Sequence, residues 1–316
     1  MANSINIGKD LSNSSPSGGV DPVETFYFRG WPIRYRVAGA GPPVILLHNG
    51  GSSSVIWCEL MPRLSGRYQL FAFDLLGYGA SARPGRDYTL DCYIDFLAEF
   101  VEQQRLAPVS LVGNCMGSAI SLGFAIRRPG DVRALVLINP LTAATFLAGI
   151  LGLTLRLRRR APRLSRQIYR LLERITLPAG LGPAILRCQI GERGKAQGVH
   201  RMPDLIDNLA SPGLIGSLLG VLDDLDSYGY FDRLEPNEDF PPFCTIWGLQ
   251  NRILSPEAGR ELSATLRPKR QEYLKGCGHL LMLERPEAVA SIIEDFLAEG
   301  ERVPASRRPE HDFIPR

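Results

Sequence analysis

The chain carries few of the features that mark a metal centre, a secreted domain or a nucleic-acid binder. Histidine is scarce, with four in 316 residues, and the six cysteines, at positions 58, 92, 115, 188, 244 and 277, show no CxxC or other ligand-like spacing. No metal and no cofactor is expected. A net charge of only +3 is too small to argue for a polyanion, so nucleic acid is not an expected partner. The first residues lack the basic start and apolar stretch of a signal peptide. Several cysteines sit inside apolar runs, where a reduced thiol is usual, and a cytoplasmic, reducing location is the default. From Ala134 to Leu155 there is no charged residue, which by count suits a membrane span. Asn139-Pro140 interrupts it, however. Ala134–Ile138 reads as a buried strand, and the remaining stretch of about fifteen residues from Leu141 is too short to cross a bilayer. That stretch reads as a cap helix, and membrane contact is not expected.

What is present is an alternation of short apolar runs with helical stretches, the pattern of an α/β protein with a mostly parallel sheet and helices on both faces. Eight strands are expected, at Glu24–Arg29, Ile33–Val37, Val44–His48, Gln69–Asp74, Val109–Gly113, Ala134–Ile138, Phe243–Trp247 and Arg270–Leu274. Helices are expected at Val55–Leu64, Leu90–Arg105, Met116–Arg128, Pro256–Leu266 and Pro286–Glu299, the two prolines suiting a first helical turn. Residues 1–22, rich in Ser, Asn and Gly, read as a disordered leader, and 301–316 as a flexible tail. The core then splits into 23–140 and 241–300, with 141–240 an inserted helical cap lacking strand-like alternation.

The cap is lopsided in charge. Leu141–Met202 holds twelve Lys/Arg against two Glu, whereas Pro203–Asp239 holds nine Asp/Glu against one Arg. The two halves either pair with each other or form separate solvated faces. Alternatively Arg156, Arg158, Arg159, Arg160, Arg163 and Arg166 attract an acidic partner, such as a carrier protein, the phosphates of coenzyme A, or anionic lipid.

The chemistry is concentrated in Gly113-Asn114-Cys115-Met116-Gly117, between an expected strand and an expected helix. A tight strand–turn–helix needs small neighbours and presents its central side chain at the helix N-terminus. A thiol placed there feels backbone N–H groups and the positive helix end, which favour thiolate. A buried structural cysteine is the competing reading.

Four further segments resemble the α/β-hydrolase superfamily, especially its capped branch of epoxide hydrolases, haloalkane dehalogenases and small esterases. Leu46-Leu47-His48-Asn49-Gly50-Gly51, followed by Trp57, resembles the oxyanion loop. Asp74-Leu75-Leu76-Gly77-Tyr78-Gly79-Ala80-Ser81 resembles the D-x-x-G-x-G-x-S turn. Trp247-Gly248-Leu249-Gln250-Asn251 aligns with the strand end that presents the triad acid, and Gly278-His279, with Glu284 and Pro286 following, resembles the catalytic histidine loop. The resemblance implies an α/β-hydrolase fold with Cys115 as nucleophile, His279 as acid–base, and the Met116 and Gly50 amides as oxyanion donors. Asn49 and Trp57 become candidate pocket residues, with Trp57 alternatively a core aromatic. Asp74 and Glu284 look structural.

The chain departs from the family at four positions. The nucleophile is Cys115 rather than Ser or Asp. Both slots for the acid, Asn251 and Asn139, are amides, and Asn49 stands where the family has glycine. A Cys115–His279–Asn251 set is chemically coherent, because a thiol can rest as thiolate beside imidazolium and needs only a neutral group to orient the ring. Asn251 could equally be a turn residue, with Asp223, Asp224 and Asp226 as fallback acids. The expected activity is acyl transfer through a Cys115 thioester, from an ester, lactone or thioester to water or another nucleophile. The substrate would be a small acyl compound, free or bound to a carrier protein or coenzyme A through the cap arginines. A lyase or cyclase using His279 as base, and a non-catalytic binding protein, remain as alternatives.

Overall fold

The computed structural model describes residues 23–301, so the expected leader and most of the expected tail lie outside the described residues. All eight strands form within a few residues of the expected positions: β1 Val23–Phe28, β2 Trp31–Ala38, β3 Pro43–Leu47, β4 Gln69–Phe73, β5 Val109–Asn114, β6 Val132–Ile138, β7 Phe243–Gly248 and β8 Arg270–Leu274. They make one sheet in the order β1-β2-β4-β3-β5-β6-β7-β8. Only β1/β2 and β2/β4 pair antiparallel; the rest are parallel. The central strands β5 and β7 are buried at every residue, which is why they read as unbroken apolar runs rather than alternating ones.

Helices α1 Met61–Leu64, α2 Leu90–Gln103 and α3 Met116–Arg127 follow β3, β4 and β5. In α2, Thr89 caps the first turn by accepting from the Cys92 N–H at 3.2 Å. Its Tyr93, Phe96, Leu97, Phe100 and Val101, spaced for one helical face, are buried. Phe100 meets Phe73 edge-on, with centroids 4.7 Å apart, a favoured aromatic geometry. After the cap come α11 Pro256–Leu266, α12 Leu281–Glu284 and α13 Pro286–Glu301.

Two expected helices are corrected. Residues 55–64 form a 3-10 turn, Ser54–Trp57, and then the separate short α1. Pro62 has no N–H to carry a continuous ladder through this point. The stretch after Leu141 is not one helix either. Thr142 caps α4, Ala143–Leu147, and α5, Gly152–Arg160, starts afresh. Between them a Cβ on Gly149 would collide with the Ile253 backbone.

Between β6 and β7 the described elements are all helical: α4 and α5, then α6 Pro162–Leu172, α7 Gly182–Gln189, α8 Glu192–Gln197, α9 Pro203–Leu209 and α10 Leu214–Asp223, with short 3-10 turns. The oppositely charged halves meet. Arg158 pairs with Asp223 at 3.0 Å and Asp226 at 3.1 Å, and Arg159 with Asp226 at 2.7 Å. Among the described residues no single helix is long and apolar enough to cross a membrane; α9 and α10 together reach that length only as a pair bent by 68°.

Candidate active site

The sheet delivers its loops to one place. The turn from β5 to α3 puts Cys115 at φ 53°, ψ −109°, a conformation that costs a residue with a Cβ of order 1–3 kcal/mol unless its surroundings enforce it. They do. The Cys115 N–H donates to the Ile138 carbonyl at 2.9 Å, and its own carbonyl accepts from Ser118 and Ala119 at 3.0 and 3.2 Å. Ser118 Oγ ties Gly113 and Ile138 together at 2.6 and 2.9 Å. Both flanking glycines are required: a Cβ on Gly113 would strike the Gly117 backbone, and one on Gly117 the Leu47 carbonyl of β3.

The loop after β3 lies alongside. His48 Nδ1 donates to the Asn49 carbonyl at 2.7 Å, while Nε2 accepts from the Leu75 N–H at 2.9 Å. That fixes its tautomer and makes it a structural residue. A Cβ on Gly50 would lie 3.5 Å from the Tyr78 hydroxyl and 4.0 Å from Met116 Sδ, so Gly50 and the start of α3 border a common space. Outside the helices and strands no backbone carbonyl among the described residues takes the Gly50 or Met116 N–H, and the Met116 N–H is directed at the Cys115 sulfur.

Beneath this floor Asn49 and Asn139 belong, with Asn114, to one buried network. Asn114 Nδ2 donates to Asn49 Oδ1 at 3.2 Å and to the His279 carbonyl at 3.3 Å. Asn139 Nδ2 donates to that same carbonyl at 3.2 Å, and its Oδ1 accepts from the Gly248 N–H at 3.1 Å. Three asparagines thus bolt the ends of β3, β5, β6 and β7 to the histidine loop. Asn139 is occupied in this way, and Asn49 faces the network. Trp57 is fully buried in the core.

The histidine loop is also fixed from the cap. The His279 N–H donates to the Gln189 carbonyl at 2.7 Å. Glu284, fully buried, accepts from the Gly278 N–H at 2.8 Å and from the Gly191 N–H at 2.7 Å. Asp74 does comparable work at the other turn, accepting from Ser54 and Ala80 N–H groups, both at 2.8 Å. Asn251 Oδ1 accepts from Ile253 and Leu254 N–H groups at 3.0 and 3.2 Å, so it has the turn role. Its Nδ2 and His279 Nδ1 are both buried without a hydrogen-bond partner among the described residues. No hydrogen bond joins the Cys115 thiol, the His279 ring and the Asn251 amide there. The fallback acids point elsewhere: Asp223 and Asp226 to arginines, Asp224 to the Leu90 N–H and Ser227 Oγ.

Burial works against the expected resting ion pair. Cys115 is 7% exposed and His279 2%. Burial pushes the thiol up to about 12, against the opposing pull of the Met116 N–H, and holds His279 down at about 4. Removal of water disfavours both charged forms, so burial favours the thiol and the neutral imidazole. Sequence reasoning missed two nearby phenols. Tyr78 and Tyr228 are fully buried, their hydroxyls lack partners among the described residues, and burial, with Cys115 among the further causes, raises both phenol pKa values. Tyr78 stood in plain view inside the glycine turn; Tyr228, in the cap, had no motif to reveal it. A surface cleft of about 340 Å³, lined in part by Gly191, Gln250 and Asn251, approaches Asn251 from outside.

Comparison with known proteins agrees with this architecture. A family model described as "alpha/beta hydrolase fold" matches residues 42–286. The chain is 27% identical over 290 residues to an uncharacterised Mycobacterium tuberculosis protein, covering 86% of this chain and 81% of the other. It is 27% identical over 277 residues to 2-hydroxymuconate semialdehyde hydrolase of Pseudomonas sp. (strain CF600), covering 84% and 89%. Among solved structures, a meta-cleavage product hydrolase, CumD, superposes with a TM-score of 0.69 at 20% identity, over 87% of this chain and 98% of that one. With an eight-stranded sheet, a sharp strand–turn–helix elbow at Cys115 and a family match covering most of its length, the chain belongs to the α/β-hydrolase fold family.

Proposed function

We propose that the protein is a cysteine-dependent hydrolase that cleaves an activated carbonyl compound, an ester, lactone or thioester, through a Cys115 thioester. The observation that carries this reading is the elbow. A cysteine is held in a conformation that costs energy, at a helix start, bordered by Gly50 and Met116, whose backbone amides would bind an oxyanion. The His279 ring takes the thiol proton as sulfur attacks the carbonyl carbon. The oxyanion is held by the Met116 and Gly50 N–H groups. When it collapses, the leaving group departs with that proton. Water, deprotonated by the same ring, then cleaves the thioester and regenerates the thiol. Because the pair rests neutral, proton transfer accompanies attack. Asn251 would act on the His279 ring through its amide, and the partnerless Tyr78 and Tyr228 hydroxyls would orient a polar group of the substrate.

Relatives named as hydrolases of 2-hydroxy-6-oxo-dienoates favour a second reading, in which the bond broken is C–C and the leaving group a stabilised carbanion. Amine or thiol acceptors in place of water, carried by a protein or coenzyme A, are a variant of the first.

Intact-mass analysis with activated esters, thioesters and a vinylogous diketone tests the proposal. Cys58 and Cys188 are exposed thiols, so a Cys58→Ser/Cys188→Ser background is used. The expected result is an acyl adduct on Cys115, trapped by rapid acid quench of the wild type, that forms far more slowly in His279→Ala and is absent in Cys115→Ala, which should lose activity by at least about 1000-fold. Turnover surviving in Cys115→Ala would instead indicate a His279-based lyase. No adduct and no turnover across the panel would indicate a binding protein.

A further inference from the structure

The outer helices of the cap are arranged opposite to a core-packing helix. In α6 the residues turned inward are Ser165 and, in part, Tyr169. The apolar row Leu164, Ile168 and Leu171, spaced to share one helical face, is turned outward, with Leu171 72% exposed, and Ile175 just past the helix is exposed as well. Neighbouring α5 adds Leu153, 63% exposed, and Leu157. Contiguous exposure of this kind marks an interaction surface.

The charge around the row narrows the choice of partner. Arg163, Arg166, Arg170 and Arg174 run along α6 and just past it, and among the described residues none of them forms an ion pair. Glu173 is the one acid between residues 150 and 181. Arg158 and Arg159, by contrast, are neutralised within the cap by Asp223 and Asp226. A second copy packed face to face would bring arginines against arginines. An acidic carrier protein would satisfy the arginines but leave the leucine row in water. An anionic bilayer satisfies both, with apolar side chains among the acyl chains and guanidinium groups at phosphate level.

We propose that α5 and α6 form an interfacial surface by which the protein lies on, without spanning, an anionic lipid bilayer. The surface is close to the candidate site. Helix α10 would bring a Cβ on Gly216 within 3.5 Å of Glu173, and carries Leu218 within 3.4 Å of a Cβ on Gly50. The proposal goes beyond the Cys115 chemistry and does not depend on it.

Flotation of the full chain with phosphatidylcholine vesicles, with and without about 30% phosphatidylglycerol to give a negative surface, is the test. Binding should require the anionic lipid and weaken in high salt. Replacing Arg163, Arg166, Arg170 and Arg174 with Gln should lower partitioning by at least about 100-fold, since each surface arginine contributes about fivefold. Ile168→Gln/Leu171→Gln should abolish it with the melting temperature unchanged, because both side chains are exposed. Leu171→Trp supplies an independent readout, a blue-shifted emission with anionic vesicles only. Absence of binding to anionic vesicles, or binding indifferent to these substitutions, overturns the proposal. So does a wild-type dimer that Ile168→Gln/Leu171→Gln converts to monomer, or saturable binding to a purified acyl carrier protein in place of vesicles.

Discussion

At Cys115 two influences on the thiol oppose each other. The Met116 N–H draws negative charge toward the helix start, while apolar packing removes the water a thiolate needs, and burial dominates. Alkylation by iodoacetamide should therefore be slower at pH 7 than for a free cysteine, and should keep rising through pH 9. A resting thiolate–imidazolium pair would instead react fast and level off near neutrality. The same burial predicts the acid limb of kcat/KM. His279 must be neutral to act as base, so activity falls only as pH drops toward about 4, well below the ordinary imidazole range. Asn251 can be probed separately. Asn251→Ala strands the Ile253 and Leu254 N–H groups and should cost about 1–3 kcal/mol in urea unfolding. Asn251→Asp keeps an acceptor for both, and its second oxygen should raise the acid limb toward the ordinary histidine value. An acid limb unmoved by Asp would mean that residue 251 does not act on the ring.

Elements differ in how openly the sequence displays them. The parallel strands β3, β5, β6 and β7 were legible because a strand buried on both faces is an uninterrupted apolar run. The elbow was legible because its two glycines are sterically required. Asn114, Asn139 and Asn49 were not legible as a network, since an amide after a strand reads equally as a turn or an acid substitute, and only the convergence of four strand ends joins them. The cap resisted for a different reason: α6 turns its leucines outward, so periodicity identifies the helix but gives the wrong face. Glu284 makes a prediction at this scale. One carboxylate oxygen takes Gly278 and the other Gly191, clamping the histidine loop to the cap. Glu284→Gln replaces an acceptor with an NH₂ that faces an N–H donor. It should cost about 1–3 kcal/mol and lower kcat more than it raises KM, because the ring loses its placement rather than the substrate its pocket. A variant with wild-type kinetics and melting would show that the clamp does not position His279.

At the scale of the whole molecule, the buried histidines should govern acid stability. His48 and His279 are each held near 4 by burial, against an ordinary value of 6.5. In the unfolded chain both take a proton as pH falls through 6.5; in the folded protein neither does until about 4. The unfolded state therefore binds more protons between these values, and the stability that is complete above pH 6.5 is lost on the way down. Each residue can contribute at most about 3 kcal/mol. For His48 the reason is visible: its Nε2 accepts the Leu75 N–H, and a proton there would set donor against donor. Glu284 works in the other direction, since burial raises its carboxyl above 4.5 and protonation on acidification relieves that cost. With two histidines against one carboxyl, the melting temperature should fall measurably from pH 6.5 to 4.5. His279→Gln should remove roughly half of that slope, while leaving the structural His48 contribution in place. A melting temperature that holds steady or rises over this interval would mean that the two rings are not kept neutral by the fold, and a neutral Cys115–His279 pair could then no longer be the starting point for the chemistry.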